Sequence, residues 1–232
     1  MRAAYLCIFE DKLHVNFLPL TYIRPVFDLR CGIRTIREKL SNGFEEGKTV
    51  LFCRRELESI MRENSGFSVN RIEGQSCVLF VNGRALFDKT PAPEGVQEAG
   101  VRGETVVYAR LTEQNARHVT PEMCLKGEFL TYIRERKVRI IDCETTCIEY
   151  PWNLIEQNGD QIEYDYQVCG QSVTVGEVHE GVSLLNREHI SIGDGSIVKP
   201  GVVIDAGDGP VYIDKDVTIY PVSYTHLTLP TD

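Results

Sequence analysis

The chain has 232 residues, enough for one large domain or two smaller ones, and 42% hydrophobic with 25% charged residues is ordinary for a globular protein. Its formal net charge of −9 excludes a broadly basic, nucleic-acid-coating surface. No apolar run approaches the roughly 20 residues that a membrane-spanning helix needs, and the opening MRAAYLCIFEDK has too short an apolar centre for a secretory signal.

Residues 4–9 form a continuous apolar run, the pattern of a strand buried on both faces. Glu10, Asp11 and Lys12 interrupt it. The stretch 17–39, FLPLTYIRPVFDLRCGIRTIREK, then places Arg24, Arg30, Arg34, Arg37 and Lys39 within sixteen residues, opposed there only by Asp28 and Glu38. Arginine offers a planar fork of donors that fits phosphate oxygens two at a time, so a cationic knot on an acidic chain points to a specific anion site. A solvated helix face paired with nearby acids is the other reading. Pro19 and Pro25 hold the segment between them extended. Thr35 with Glu38 fits a capping box, and Ile33, Ile36 and Leu40 recur at helical spacing. The knot thus spans a loop and a helix opening.

Residues 48–53 read as a second buried strand, 54–64 as an amphipathic helix ending near Gly66, and 76–81 as a third strand running into Asn82-Gly83-Arg84. Strand, helix and strand with short connections are the grammar of a parallel α/β sheet, whose ligands bind beyond the carboxyl ends of the strands. Arg84 is therefore a second candidate anion contact, while Asn-Gly is equally a plain turn signal. A Pro/Gly-rich loop is expected over 88–103, a strand over 104–109, and helices over 123–136 and 153–165. The single Trp, Trp152, is read as packing two domains together.

After Gly170 the pattern changes. Ile192, Val198 and Ile204 fall six residues apart, and Ile213 and Ile219 resume the register after an insertion at 207–210. An aliphatic residue at every sixth position is the signature of a hexapeptide β-helix. Eight cysteines are scattered through apolar segments and five histidines are isolated, so free core thiols in a reducing cytoplasm are expected and zinc chemistry is not. Residues 222–232 abandon the six-residue pattern and resemble an in-frame translation of a sequencing-library adapter. The natural protein is accordingly expected to continue past Pro221.

FLPLTYIRP resembles the Leu-x-Pro-Leu-Thr-x-x-x-Pro element of sugar-nucleotide pyrophosphorylases. DLRCGIRTIREK and YPWNLIEQN resemble a bacterial subgroup related to the bifunctional N-acetylglucosamine-1-phosphate uridylyltransferase/glucosamine-1-phosphate acetyltransferase. The resemblance implies an α/β fold: a Rossmann-like nucleotide-diphospho-sugar transferase domain over 1–170, with a linker helix at about 151–166, then the start of a left-handed parallel β-helix over 171–221. It implies a cytoplasmic transferase that moves a nucleotidyl group from an NTP, UTP, to N-acetylglucosamine 1-phosphate with Mg²⁺, trimeric through its β-helix, with neither nucleic acid nor membrane as partner. Arg24, Arg30 and Lys39 would neutralise the triphosphate. Pro19, Leu20, Thr21, Gly32 and Arg34 would shape the nucleotide loop, and Asn82, Gly83 and Arg84 would sit by the base or sugar. Acetyl-CoA would be bound only by a complete β-helix. A non-catalytic sugar-nucleotide-binding module and an acyltransferase are the competing functions.

Three departures accompany the likeness. The glycine-rich loop that precedes Leu-x-Pro-Leu-Thr is replaced by residues 10–16, the lysine after the proline is Val26, and the Gly-Asp metal ligand reads Asn82-Gly83-Arg84. Asp11, Asp28 and Asp88 are the acids left to take the metal ligand's place, and side chains must do much of what backbone amides do elsewhere.

Overall fold

The computed structural model describes residues 5–42, 44, 48–72, 76–87, 91, 96–169 and 174–221. Asp88 and the adapter-like 222–232 lie outside them, as do the expected loop's residues 88–90 and 92–95. The chain forms two compact units that divide between residues 159 and 160.

In the first unit the elements run β1 (Tyr5–Phe9), α1 (Ile36–Ser41), β2 (Thr49–Phe52), α2 (Glu58–Ser65), β3 (Ser68–Val69), β4 (Val78–Asn82), β5 (Ala85–Leu86), β6 (Glu98–Arg102) and β7 (Thr105–Leu111). They continue as α3 (Glu113–Ala116), α4 (Pro121–Lys126), α5 (Phe129–Glu135), β8 (Arg139–Asp142), β9 (Thr146–Cys147), α6 (Pro151–Glu156) and α7 (Asn158–Cys169), which runs into the second unit. Seven strands make one sheet in the order β3-β2-β1-β4-β7-β6-β8. β1 pairs in parallel with both β2 and β4, whereas β7 is antiparallel to β4 and β6.

The buried first strand is as the sequence predicts. Leu6 and Ile8 face a core containing Phe17, Phe27, Leu29 and Ile36. Cys7 and Phe9 face the opposite core of Phe80, Phe129 and Ile133. Phe129 meets Phe9 and Phe80 edge-on, with centroids 5.5 and 5.4 Å away, a favoured aromatic geometry. The Thr35–Glu38 capping box is present: Glu38 N donates to Thr35 Oγ1 at 3.2 Å, and Thr35 N donates to Glu38 Oε2 at 2.7 Å.

Three expectations need correction. The single helix expected over 123–136 is two, because Gly127 takes a φ of +77° and ends α4. The helix expected at 153 starts two residues earlier, where Pro151 occupies the first turn, and α6 gives way to α7 at Gln157. The expected loop contains β6, at 98–102. Glu98 and Gly100 hide that strand from an apolar pattern. The Tyr108 hydroxyl donates to Glu98 Oε1 at 3.0 Å, and a Cβ on Gly100 would lie 2.3 Å from the Tyr108 ring.

The second unit carries β10 (Glu177–Val178), β11 (Ser183–Leu185), β12 (Ile190–Ile192), β13 (Ile197–Val198), β14 (Val203–Asp205), β15 (Val211–Ile213) and β16 (Thr218–Ile219). They form three parallel sheets, β10-β13-β16, β11-β14 and β12-β15, in which each strand pairs with the one three places on. Ile192 pairs with Ile213, Val198 with Ile219, and Leu184 with Ile204. The six-residue spacing thus stacks aliphatic residues into a core containing Ile190, Ile192, Val198 and Ile213. No described helix is long and apolar enough to cross a membrane.

Candidate functional site

Sheet order reverses between β1 and β4, and in α/β sheets the crevice beyond such a point is where ligands bind. The chain leaves β1 through Glu10 and Asp11, leaves β4 through Asn82, Gly83 and Arg84, and leaves β2 through Cys53 and Arg54. These strand ends hold two adjoining polar networks.

The first centres on Asp11. Arg84 Nε donates to its Oδ1 at 2.9 Å and Nη2 to its Oδ2 at 2.5 Å. Asn82 Nδ2 donates to Asp11 Oδ2 at 2.9 Å and to the Val106 carbonyl at 3.0 Å. Arg84 is only 1% exposed, and its Nη1 donates to the Ile148 carbonyl at 2.5 Å. Gly83 lies between them because a Cβ there would fall 2.8 Å from the Phe27 ring. Burial pushes the Asp11 carboxyl up, but hydrogen bonds and charge from Arg84, with Asn82's hydrogen bond, more than offset it and hold it below the usual carboxylate range. Arg84 is therefore a buried partner of Asp11, with its donors turned inward.

The second network centres on Glu10, also buried. It accepts from Val26 N at 3.0 Å, Arg54 N at 3.2 Å and Arg54 Nε at 3.3 Å. Burial raises its carboxyl, against the pull of Arg54 and the backbone donors. Arg54 Nη2 then reaches the carbonyls of Thr21 at 2.6 Å and Arg24 at 3.2 Å. One guanidinium thus clamps the strap between Pro19 and Pro25 over the end of β2. Thr21 is buried, with its hydroxyl donating to the His14 carbonyl at 3.4 Å. Pro19, Leu20 and Arg24 are exposed on this strap.

Arg30, Gly32 and Arg34 lie on a tight hairpin closed by a bridge between Arg30 and Thr35. Gly32 has a φ of +81°, open to glycine at little cost, and its amide donates to Asn158 Oδ1 at 2.9 Å. Arg30 is exposed and also donates to the Ile33 carbonyl; Arg34 is half-buried. Arg37 pairs with Asp28 and lies 5.5 Å from the Phe67 ring centroid, so one cation of the knot is locally matched. Lys39, half-buried, occupies the last turn of α1.

Sequence reasoning placed Thr21 and Arg24 on the loop after the first strand and Asn82 just past the third, but missed Glu10 and Arg54. The only signal was that each directly follows a buried strand. Among the described residues no group of three acidic, His or Cys side chains could hold a metal. Asp11 is engaged by Arg84 and Asn82, and Asp28 by Arg37. These residues do not fit the magnesium site that the resemblance implies. None of the seven cysteines with described side chains is in a disulfide. Burial raises the Cys53 thiol to about 12 and the Cys147 thiol to about 11, which leaves both as inert thiols.

A mostly parallel sheet with a polar crevice at its order reversal is an α/β architecture whose ligands bind beyond the strand ends. A family model described as sugar nucleotidyl transferase matches residues 6–173, and the chain belongs to that family. No curated protein matches it. Among solved structures it is similar to the mannose-1-phosphate geranyltransferase of Thermus thermophilus, at 13% identity and a TM-score of 0.37 over 92% of this chain and 90% of that one.

Proposed function

We propose that this chain transfers a nucleotidyl group from a nucleoside triphosphate, UTP, to a sugar 1-phosphate, N-acetylglucosamine 1-phosphate. A phosphate oxygen of the sugar phosphate bonds to the α-phosphorus while the bond from that phosphorus to the oxygen bridging to the β-phosphate breaks. The bridging oxygen keeps the electron pair and leaves in pyrophosphate. Such reactions depend mainly on positioning and on neutralising the transferring and leaving groups.

The observation that carries this reading is the clamped strap. Glu10 and Arg54 hold the backbone of residues 21–26, which presents Arg24 to solvent beyond β1 in a chain of this family. Arg24 and Arg30 grip the triphosphate and Lys39 assists. Thr21 fixes the strap from beneath, Pro19 and Leu20 line its outer edge, and Gly32 and Arg34 shape the neighbouring hairpin. Asn82 and Gly83 set the floor near base or sugar, with Arg84 holding that floor through Asp11.

The engagement of Asp11 by Arg84, and the lack of an acidic triad among the described residues, favour one second reading: a module that binds sugar nucleotide without turnover. Pyrophosphate release from UTP and N-acetylglucosamine 1-phosphate, with magnesium supplied, separates the two. Turnover is expected. Nucleotide binding with no turnover across the common NTPs gives the binding module, and no nucleotide binding at all overturns both.

A further inference from the structure

The second unit holds a cleft that nucleotidyl transfer does not use. Glu163, Tyr166 and Gln167 on α7 face the segments 186–189 and 206–210 across a space of about 950 Å³. That volume is at the upper end of the roughly 300–1,000 Å³ typical of small-molecule sites. All three segments belong to the unit that begins at residue 160. Two approaches show how closely they meet. The Tyr166 hydroxyl donates to the Glu188 carbonyl at 3.4 Å, and a Cβ on Gly209 would lie 3.9 Å from Glu163 Oε1. The 206–210 connection is itself held, since Gly207 N donates to Asp205 Oδ1 at 2.8 Å.

The lining selects a kind of ligand. Each segment supplies one carboxylate: Glu163, Glu188 and Asp208. Among the described residues none of these carboxylates has an ion pair or hydrogen bond. Of the lining residues described, only His189 could carry an opposing charge. The last turn of α7, at Gln167, adds the partial negative charge of a helix C-terminus. Such a wall repels anions and attracts cations. The acids do not converge on one point, since no group of three among the described residues could hold a metal ion. Negative charge spread over three segments is met by positive charge spread along a chain. Tyr166, Ala206 and Pro210 separate the acids with aromatic and apolar surface. A ring face attracts an ammonium, and apolar surface covers the methylenes between ammonium groups.

We propose that this cleft binds an aliphatic polyamine. Its ammonium groups lie against Glu163, Glu188 and Asp208, and its methylenes run along Tyr166 and Pro210. The site lies in the second unit and stands independently of the nucleotidyl-transfer reading.

Calorimetric titration of the whole chain with spermidine tests the site. Saturable binding of one spermidine per chain is expected, weakened by added salt. Glu163→Gln, Glu188→Gln and Asp208→Asn together should weaken it at least tenfold; all three side chains are exposed, so the melting midpoint should not move. Glu56→Gln, Glu63→Gln and Glu122→Gln together remove the same charge from exposed places in the first unit and should change affinity less than twofold. Tyr166→Ala should cost severalfold and Tyr166→Phe less than twofold, because the ring face is kept. Three results would overturn the site. The first is no saturable binding. The second is an equal loss in both triple variants, which is diffuse attraction to a chain of net charge −9. The third is displacement of spermidine by an equal concentration of magnesium chloride, which gives the cleft to a divalent cation.

Discussion

Asp11 and Arg84, 73 positions apart in sequence, meet in a two-pronged ion pair of 2.9 and 2.5 Å where the sheet order reverses. Glu10, the next residue back, is paired instead with Arg54 across 44 positions. Two consecutive carboxylates are thus drawn to different arginines, and their titrations move in opposite directions.

Removing one partner of a buried pair leaves the other charge uncompensated. Arg84→Ala should therefore cost about 3–5 kcal/mol in urea unfolding, whereas Asp11→Asn with Arg84→Met together should recover most of that loss. A double variant no more stable than the single would show that the loss comes from the missing pair itself and not from a stranded charge.

The acid limb of stability should carry the Asp11 signature. Its carboxyl titrates lower folded than unfolded, so its contribution is fully present above the unfolded value of about 3.9 and is lost as pH falls through the folded value. Asp11→Asn with Arg84→Met should flatten the stability–pH curve below about pH 4. Glu10 works the other way: its raised carboxyl favours the fold below the unfolded Glu value and loses that contribution as pH rises through its folded value.

Arg24→Ala should weaken UTP binding about 10- to 100-fold, the range of a lost charge-assisted hydrogen bond of about 1.5–3 kcal/mol. Thermal midpoint should not move, since the side chain is exposed. Calorimetric titration with unchanged affinity would remove the arginine from the phosphate site.

Arg54→Ala should lower both stability and UTP affinity, because it frees the carbonyls of Thr21 and Arg24 together with the Glu10 carboxylate. Arg54→Lys should restore little, as a point charge cannot span three acceptors in one plane. Full rescue by lysine in the same calorimetric and melting measurements would mean that charge alone matters there.

Much of the scaffold was legible locally. The apolar run at 4–9 and the Thr35–Glu38 spacing each predict an element from neighbours in sequence, and each element is present. The six-residue rhythm from Ile192 to Ile219 likewise marks the positions that stack in the coil. What stayed hidden depends on partners far along the chain. Glu10 reads as a charge that ends a strand, and only the folded sheet brings Arg54 to it. Arg84 has the look of a surface cation in a turn until Asp11 and Ile148 enclose it. Glu98 breaks the pattern of β6 because its buried carboxylate is matched by a tyrosine ten residues on.

In the coil, Gly193 has no room for a side chain, since a Cβ would lie 2.6 Å from Lys215 N; one on Gly176 would lie 2.8 Å from the Gly193 carbonyl. Successive turns therefore rest backbone on backbone at this corner, and Gly193→Ala should strain the stack by about 1–3 kcal/mol, visible as an earlier loss of strand signal on heating. The opposite holds between β14 and β15, where residues 206–210 bridge what 186–189 bridge one turn earlier. The extra residue there leaves the Ile192–Ile213 register intact, and Gly207 and Asp208 are exposed. The second unit thus leaves no room for a side chain at one corner and accommodates a longer connection at another.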